Sequence, residues 1–172
     1  KELFLFNFLF AGALWFYSHK LSKKPLVGDL FAAVLTVAAF FAVCVYYGFV
    51  NKVILIYAMF IVLITLIREL VKDLEGMKGD LVFGYQTLPV VKGIAYTKKW
   101  LYGLMLSAGI PFAGLYYLVP LNQLLYYFVA CGMALLGCAW LIVKAQQPAD
   151  YTRVNNLLKL LILSGVASIA LM

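Results

Sequence analysis

Apolar and polar positions along this chain alternate in blocks, not residue by residue. Six apolar runs stand out, over residues 3–17, 29–50, 53–67, 100–118, 121–143 and 157–172. Crossing a hydrocarbon core takes about 20 residues of helix; the first and last runs are short for that, and the second, fourth and fifth are long enough or nearly so. In lipid every backbone N–H and C=O must be paired within its own segment, so helices are the elements these runs predict. A membrane barrel would show strictly alternating stretches of about ten residues instead, and the longer runs here are too uniform for it. The expected fold class is an all-α membrane protein, a multi-helix transmembrane bundle of six spans forming one domain over residues 1–172. Pro111 lies inside the fourth run and is expected to kink it, which helical neighbours can accommodate.

Composition sharpens this picture. Apolar residues make up 66% of the 172 residues and charged residues 12%, against about 45–50% and about 25% in ordinary soluble domains; mean hydropathy is +0.99. A soluble globule of this size could not hide so much apolar surface, and a nucleic-acid-binding domain, a secreted disulfide scaffold and a disordered tail are excluded. The three cysteines, Cys44, Cys131 and Cys138, all lie within apolar runs with no metal-type spacing, and read as buried small hydrophobes. The chain opens on Lys1 with no signal-peptide pattern, and is expected to be part of a longer protein.

The net charge of +7 is a topology signal. Lys20, Lys23 and Lys24 follow the first run; Arg68, Lys72, Lys78, Lys92, Lys98 and Lys99 follow the third; Lys144, Arg153 and Lys159 flank the sixth. Twelve of the fourteen basic residues thus fall on one face, cytoplasmic under the positive-inside rule, while the short connections at Asn51-Lys52 and Pro120 face out. An integral, multi-pass protein of a bacterial inner (plasma) membrane is the expectation, with its motif loop, residues 68–99, in the cytoplasm. Tyr46, Tyr47, Tyr116 and Tyr117 would mark the outer aromatic belt and Trp15, Tyr17, Trp100 and Trp140 the inner one. Lys78, Lys92, Lys98 and Lys99 read as topology and headgroup contacts.

Candidate chemistry is confined to few residues. Four of the seven acids fall between Glu69 and Asp80. Glu69 and Asp73, four apart, stack on one helix face, Arg68 and Lys72 make the same step beside them, and Glu75 points away. Gly76 and Gly79 are expected to end the helix and let Asp80 turn back. Carboxylates converging at a membrane mouth suit a hard divalent cation that keeps some water and is shared with phosphates; a solvated loop with intrahelical ion pairs fits the same spacing. His19 is either a general base or a headgroup-facing residue, and Asn155 and Asn156 either line the mouth or cap a helix.

Two stretches resemble a known family. Arg68-Glu69…Lys72-Asp73…Gly79-Asp80…Gly84-Tyr85-Gln86-Thr87-Leu88-Pro89-Val90-Val91…Gly93 is similar to the second aspartate-rich motif of the UbiA superfamily of intramembrane prenyltransferases. Its Arg-Glu opening resembles the branch containing digeranylgeranylglyceryl phosphate synthases and the chlorophyll enzymes. Upstream, Tyr17-Ser18-His19-Lys20-Leu21-Ser22-Lys23-Lys24-Pro25-Leu26-Val27-Gly28-Asp29 resembles the element that opens a later helix of that family. The chain would correspond to the last six of nine helices. The family's first motif, Asn-Asp-x-x-Asp-x-x-x-Asp, occurs nowhere in it, so this polypeptide by itself is not expected to be catalytic. Gly76 stands where many relatives carry a further Asp, which removes one ligand, and Asp29 replaces the common Asn.

The resemblance implies transfer of a prenyl group from a polyprenyl diphosphate to a lipid or aromatic acceptor in the membrane, as in lipid or quinone biosynthesis. Magnesium is the implied cofactor, neutralising the diphosphate as it leaves. Asp73 and Asp80 are the implied ligands, with Glu69 either a third ligand or an orienter of bound water. Arg68, Lys72 and Lys23 are the implied diphosphate cations, with Lys23 equally a topology residue, and Tyr17 and Ser18 the hydroxyl donors. The bilayer is the partner throughout and nucleic acid is not. The competing expectation is a non-catalytic, lipid-binding or scaffolding subunit with a protein partner in a membrane complex; a channel or transporter is disfavoured because no span carries a charge near its middle.

Overall fold

The computed structural model describes residues 2–22, 24–48, 51–118 and 123–168, and these form helices with no strand among them. Helix α1 (Glu2–Phe16) runs into one π-helical turn, Tyr17–Leu21, closed by the Ser22 amide on the Tyr17 carbonyl at 2.9 Å. A three-residue turn follows, with Leu26 at φ 59° and ψ −38° and the Val27 amide on the Pro25 carbonyl. It folds the start of α2 (Val27–Tyr46) back onto the π turn. The approach is so close that a Cβ on Gly28 would lie 2.8 Å from the Leu21 carbonyl oxygen, which is why glycine stands there.

Asn51 begins α3 (Lys52–Phe83) by accepting the Ile54 amide at 2.9 Å, the usual role of a side-chain oxygen at a helix start. Then come the short α4 (Leu88–Lys92), α5 (Ile94–Ser107), α6 (Gly109–Leu118), α7 (Gln123–Lys144) and α8 (Pro148–Ser168). The core is built around α3, which packs against α2, α4, α5, α6 and α8. Tyr57, Ile64, Ile67, Leu70 and Val71 are fully buried along it, at the three- and four-residue steps of one helical face. Large apolar side chains such as Phe4, Phe8, Leu106 and Leu136 cover the outside, a distribution that suits hydrocarbon better than water. Two helices, Val27–Tyr46 and Lys52–Phe83, are long and apolar enough to cross a membrane.

Several expectations are corrected by this architecture. The helix does not stop at Gly76 or Gly79: α3 continues for 32 residues, about 48 Å at 1.5 Å per residue. Each interior glycine costs about 0.5–1 kcal/mol relative to alanine, but burial of Leu70, Val71 and Leu74 and a clamp from Glu75 to α8 hold the extension. The stop falls at Gly84, whose φ of +70° and ψ of 24° end the helix in a left-handed residue, with the Tyr85 amide on the Asp80 carbonyl at 2.9 Å. Residues 68–99 are therefore mostly helical and not a loop. The fourth run breaks at Ala108, between α5 and α6, ahead of Pro111; proline lacks the N–H that would continue the ladder to Ser107. Over its described residues, 157–168, the sixth run is the later part of α8, which starts at Pro148 with Asp150 accepting the Gln146 and Gln147 amides at 3.1 Å. Lys98 is a structural cap, not a headgroup contact: its Nζ donates to the Ala145 carbonyl at 2.9 Å, just past α7, and lies 5.7 Å from the centre of the Tyr151 ring. The Pro120 connection lies outside the described residues.

Candidate active site

Because α3 runs unbroken through both glycines, Glu69, Asp73, Gly76 and Asp80 fall at steps of four, three and four on one stripe of its surface. Asp73 and Asp80 are two turns apart, about 10 Å along the axis. Thr87, on the segment after Gly84, folds back and donates its hydroxyl to Asp80 Oδ2 at 3.0 Å. Gly76 sits between the two aspartates, and a Cβ there would be 3.9 Å from Asp80 Oδ1. Glu75, about 120° round the helix, faces away from the stripe and accepts the Thr152 hydroxyl and the Asn155 amide of α8, both at 2.9 Å. Asn155 is thus an interhelix contact, while the exposed Asn156 meets Lys159.

Glu69 is buried and both its oxygens are engaged, Oε1 by Arg68 Nη1 at 2.9 Å and Oε2 by Lys72 Nζ at 3.2 Å. The two cations that the resemblance implies for the diphosphate are therefore held by the acid beside them, as intrahelical ion pairs. More than half of the Lys72 side chain stays exposed, against about a quarter for Arg68, and the Arg68 Nε is buried with no partner among the described residues.

The upstream element opens α2, which packs on α3. The Tyr17 ring stacks nearly parallel to Phe31 at 6.1 Å, and its hydroxyl is in electrostatic range of Glu69, Lys72, Asp29 and Asp73. Asp29, in the first turn of α2, is buried, and its charge reaches Asp73. Asp73 lies beyond the apolar run of α3; its burial and the charges of Asp29, Asp80 and Glu69 push its carboxyl up to about 8. The sequence reading missed Asp29 as a member of this group. The signal was present in its position, on the basic face and at the opening of the helix that precedes α3.

The other expected residues fall apart from the cluster. Ser18 is exposed, and its carbonyl accepts the Ser22 hydroxyl at 2.9 Å. His19 is exposed and stacked on Trp15 at 4.6 Å. Lys23 lies outside the described residues. Cys131 and Cys138 are buried, as expected, while Cys44 is only half-buried. Among the described residues, no three His, Cys, Asp or Glu side chains come close enough to enclose an ion by themselves. The donor set is nonetheless all oxygen and short of compensating charge, which fits a hard cation that keeps waters and takes only one or two carboxylates.

Comparison with known proteins adds an independent line. Residues 2–164 match the model of the UbiA prenyltransferase family. Curated relatives include the digeranylgeranylglyceryl phosphate synthase of Methanothermobacter thermautotrophicus, 30% identical over 84% of this chain and 51% of its own length. Those of Thermococcus sibiricus and Thermococcus gammatolerans are each 30% identical, over 99% and 92% of this chain and 60% and 56% of their own lengths. The chain thus spans between half and three-fifths of the length of these relatives. No solved structure gives a significant match.

Proposed function

Since the chain belongs to the UbiA prenyltransferase family, we propose that it carries one part of a magnesium-dependent site that moves a prenyl group from a polyprenyl diphosphate to an acceptor in the membrane. The observation that carries the reading is the packing of α2, which opens with the buried Asp29, on α3, which carries the acid stripe. Two stretches that resemble the family, separated in sequence by two apolar runs, thus open and close on neighbouring helices.

Magnesium, when bound, supplies positive charge to the departing diphosphate oxygens. Asp73 and Asp80 would hold it, and the missing carboxylate at Gly76 limits the ligands available on this stripe. Glu69, occupied by two cations, serves as the orienter: it sets Arg68 and Lys72 at fixed points on the rim, from which guanidinium and ammonium protons donate to diphosphate oxygens. Tyr17 offers a hydroxyl and a ring face at the same mouth. Thr87 holds the Asp80 carboxylate in place by its hydrogen bond. The alternative of a non-catalytic lipid-binding subunit is not favoured, since the acid stripe and its cations are retained.

By extension from the names of the relatives, the acceptor is a prenylated glyceryl phosphate. The six apolar runs are proposed as six crossings of a plasma membrane with the motif face in the cytoplasm; the relatives named above are archaeal and support that source over a bacterial one. The activity belongs to a polypeptide of the relatives' length, and this chain by itself, with no Asn-Asp-x-x-Asp sequence, is proposed to be inactive. In the full-length protein, Asp73→Ala and Asp80→Ala should each abolish magnesium-dependent transfer of a labelled prenyl group while membrane insertion is kept. Parental turnover in either variant would show that the site is misassigned.

A further inference from the structure

Between α7 and α8 the surface opens into a groove of about 600 Å³, within the size range of ligand sites. Ala134, Gly137 and Trp140 of α7 form one wall, and Leu157, Leu160 and Ser164 of α8 the other. Gly137 keeps it open, since a Cβ there would meet nothing within 4 Å. The groove is separate from the acid stripe. Val154, Asn155 and Leu158 of α8 are turned to the core, where Asn155 bonds Glu75 of α3, and the groove wall is another face of α8.

Charge is gathered at one end of it. Lys144, the last residue of α7, holds its ammonium 3.9 Å from the centre of the Trp140 ring, and so over the groove wall itself. Arg153 precedes Leu157 by four residues, Leu160 by seven and Ser164 by eleven, spacings that put it on the stripe of α8 lining the groove. Only residues 145–147 separate the two helices, so both cations stand at the same end. Both are exposed, and among the described residues neither enters an ion pair. Asp150, one turn before Arg153, has its carboxylate on the Gln146 and Gln147 amides. Arg68 and Lys72, by contrast, are spent on Glu69, and Lys98 on the Ala145 carbonyl. Exposed cations alone make an ordinary basic face. Set at the end of an apolar groove, they match a molecule that is anionic at its head and hydrocarbon along the rest. A neutral lipid or an apolar helix would fill the walls and leave both cations unpaired.

We propose that this groove binds an anionic phospholipid of the surrounding bilayer, with its phosphate at Lys144 and Arg153 and one chain laid over Gly137 toward Ser164. This rests on the reading of α7 and α8 as membrane crossings, and on no part of the prenyl-transfer reading.

The test places the purified full-length protein in phosphatidylcholine discs that carry a minor fraction of chain-brominated phosphatidylglycerol, or of chain-brominated phosphatidylcholine. Bromine quenches a tryptophan in contact with it, and the Trp140 signal is the part lost in Trp140→Phe. The parent should prefer the anionic lipid by about tenfold or more, since each cation contributes roughly fivefold. Lys144→Gln combined with Arg153→Gln should bring the two lipids to within about twofold of each other. Gly137→Leu keeps both charges, fills the groove and should weaken quenching by either lipid. Equal quenching by the two lipids in the parent, or a preference that survives the double substitution, would overturn the proposal and leave the crossings standing. Quenching by neither lipid, with Trp140 open to acrylamide from water, would overturn the crossings and the proposal together. Protection from lipid and acrylamide alike would mean that the rest of the polypeptide or a second copy covers the groove, and the proposal fails. Reversal of the preference by inorganic phosphate at constant ionic strength would mark a plain anion site and also overturn it.

Discussion

Gly28 and Gly79 look alike in the sequence and differ completely in what they do. At Gly28 a Cβ would be 2.8 Å from the Leu21 carbonyl oxygen, and backbone cannot step aside. Gly28→Ala should therefore cost about 1–3 kcal/mol, the usual penalty for overpacking, and displace Asp29, its neighbour in the site. At Gly79 nothing lies within 4 Å, so Gly79→Ala inside α3 should gain about 0.5–1 kcal/mol. Thermal unfolding of the two variants in the same detergent checks the contrast; equal effects would mean that the turn at Leu26 is looser than described. Asp150 is a third instructive residue. Its carboxylate accepts two backbone amides and is held below the usual range by them. A depressed acid adds stability above its unfolded pKa and loses it as pH falls through the folded one, so the start of α8 should loosen only in strong acid. Asp150→Asn should remove that dependence, measurable by amide exchange at Gln146 and Gln147.

At the scale of elements, the long helix α3 decides the site. The glycines were legible as helix breakers by propensity, and a stretch of charged residues after an apolar run reads naturally as a loop. Neither signal contains the contacts that overrule it. Glu75 bonds Thr152 and Asn155, about 80 residues further along the chain, and that partnership exists only once α8 has packed on α3. Glu75→Ala leaves the Asn155 amide without its acceptor, while the Thr152 hydroxyl keeps the Pro148 carbonyl at 3.2 Å, and should cost about 1–3 kcal/mol. More tellingly, it should raise amide exchange over residues 76–83, where the glycines make the helix weakest. An Asn155→Ala background should erase most of the additional effect, as coupled neighbours do; simple additivity would mean that the clamp does not hold the extension. The Lys98 cap on Ala145 and the Tyr127 hydroxyl on the Leu161 carbonyl of α8 at 3.3 Å are further pairings of this kind.

For the molecule as a whole, orientation in the membrane is the quantity to measure. Lys52 opens α3 and Lys78 lies near its far end, both exposed, separated by 26 residues or about 39 Å of helix. In a cysteine-depleted background, Lys52→Cys should react with an impermeant thiol reagent from outside the cell and Lys78→Cys only after permeabilisation. Labelling of both from one side would rule out a crossing α3. Block patterning of apolar residues already specified a helical membrane bundle, because lipid leaves a backbone few other ways to pair its polar groups. Charge asymmetry gave the expectation of one motif face, and the spacing of Glu69, Asp73 and Asp80 placed these acids on one stripe of α3, because local spacing on a helix is set by its period. What no local rule contains is where the motif helix ends and which acids are buried or bound by other helices. Only the packing of α2 and α8 on α3 decides those, by carrying the helix past its glycines, burying Asp29 at the start of α2 and tying Glu75 to Thr152 and Asn155. Long-range contacts select among the alternatives that short-range preference leaves nearly equal in energy.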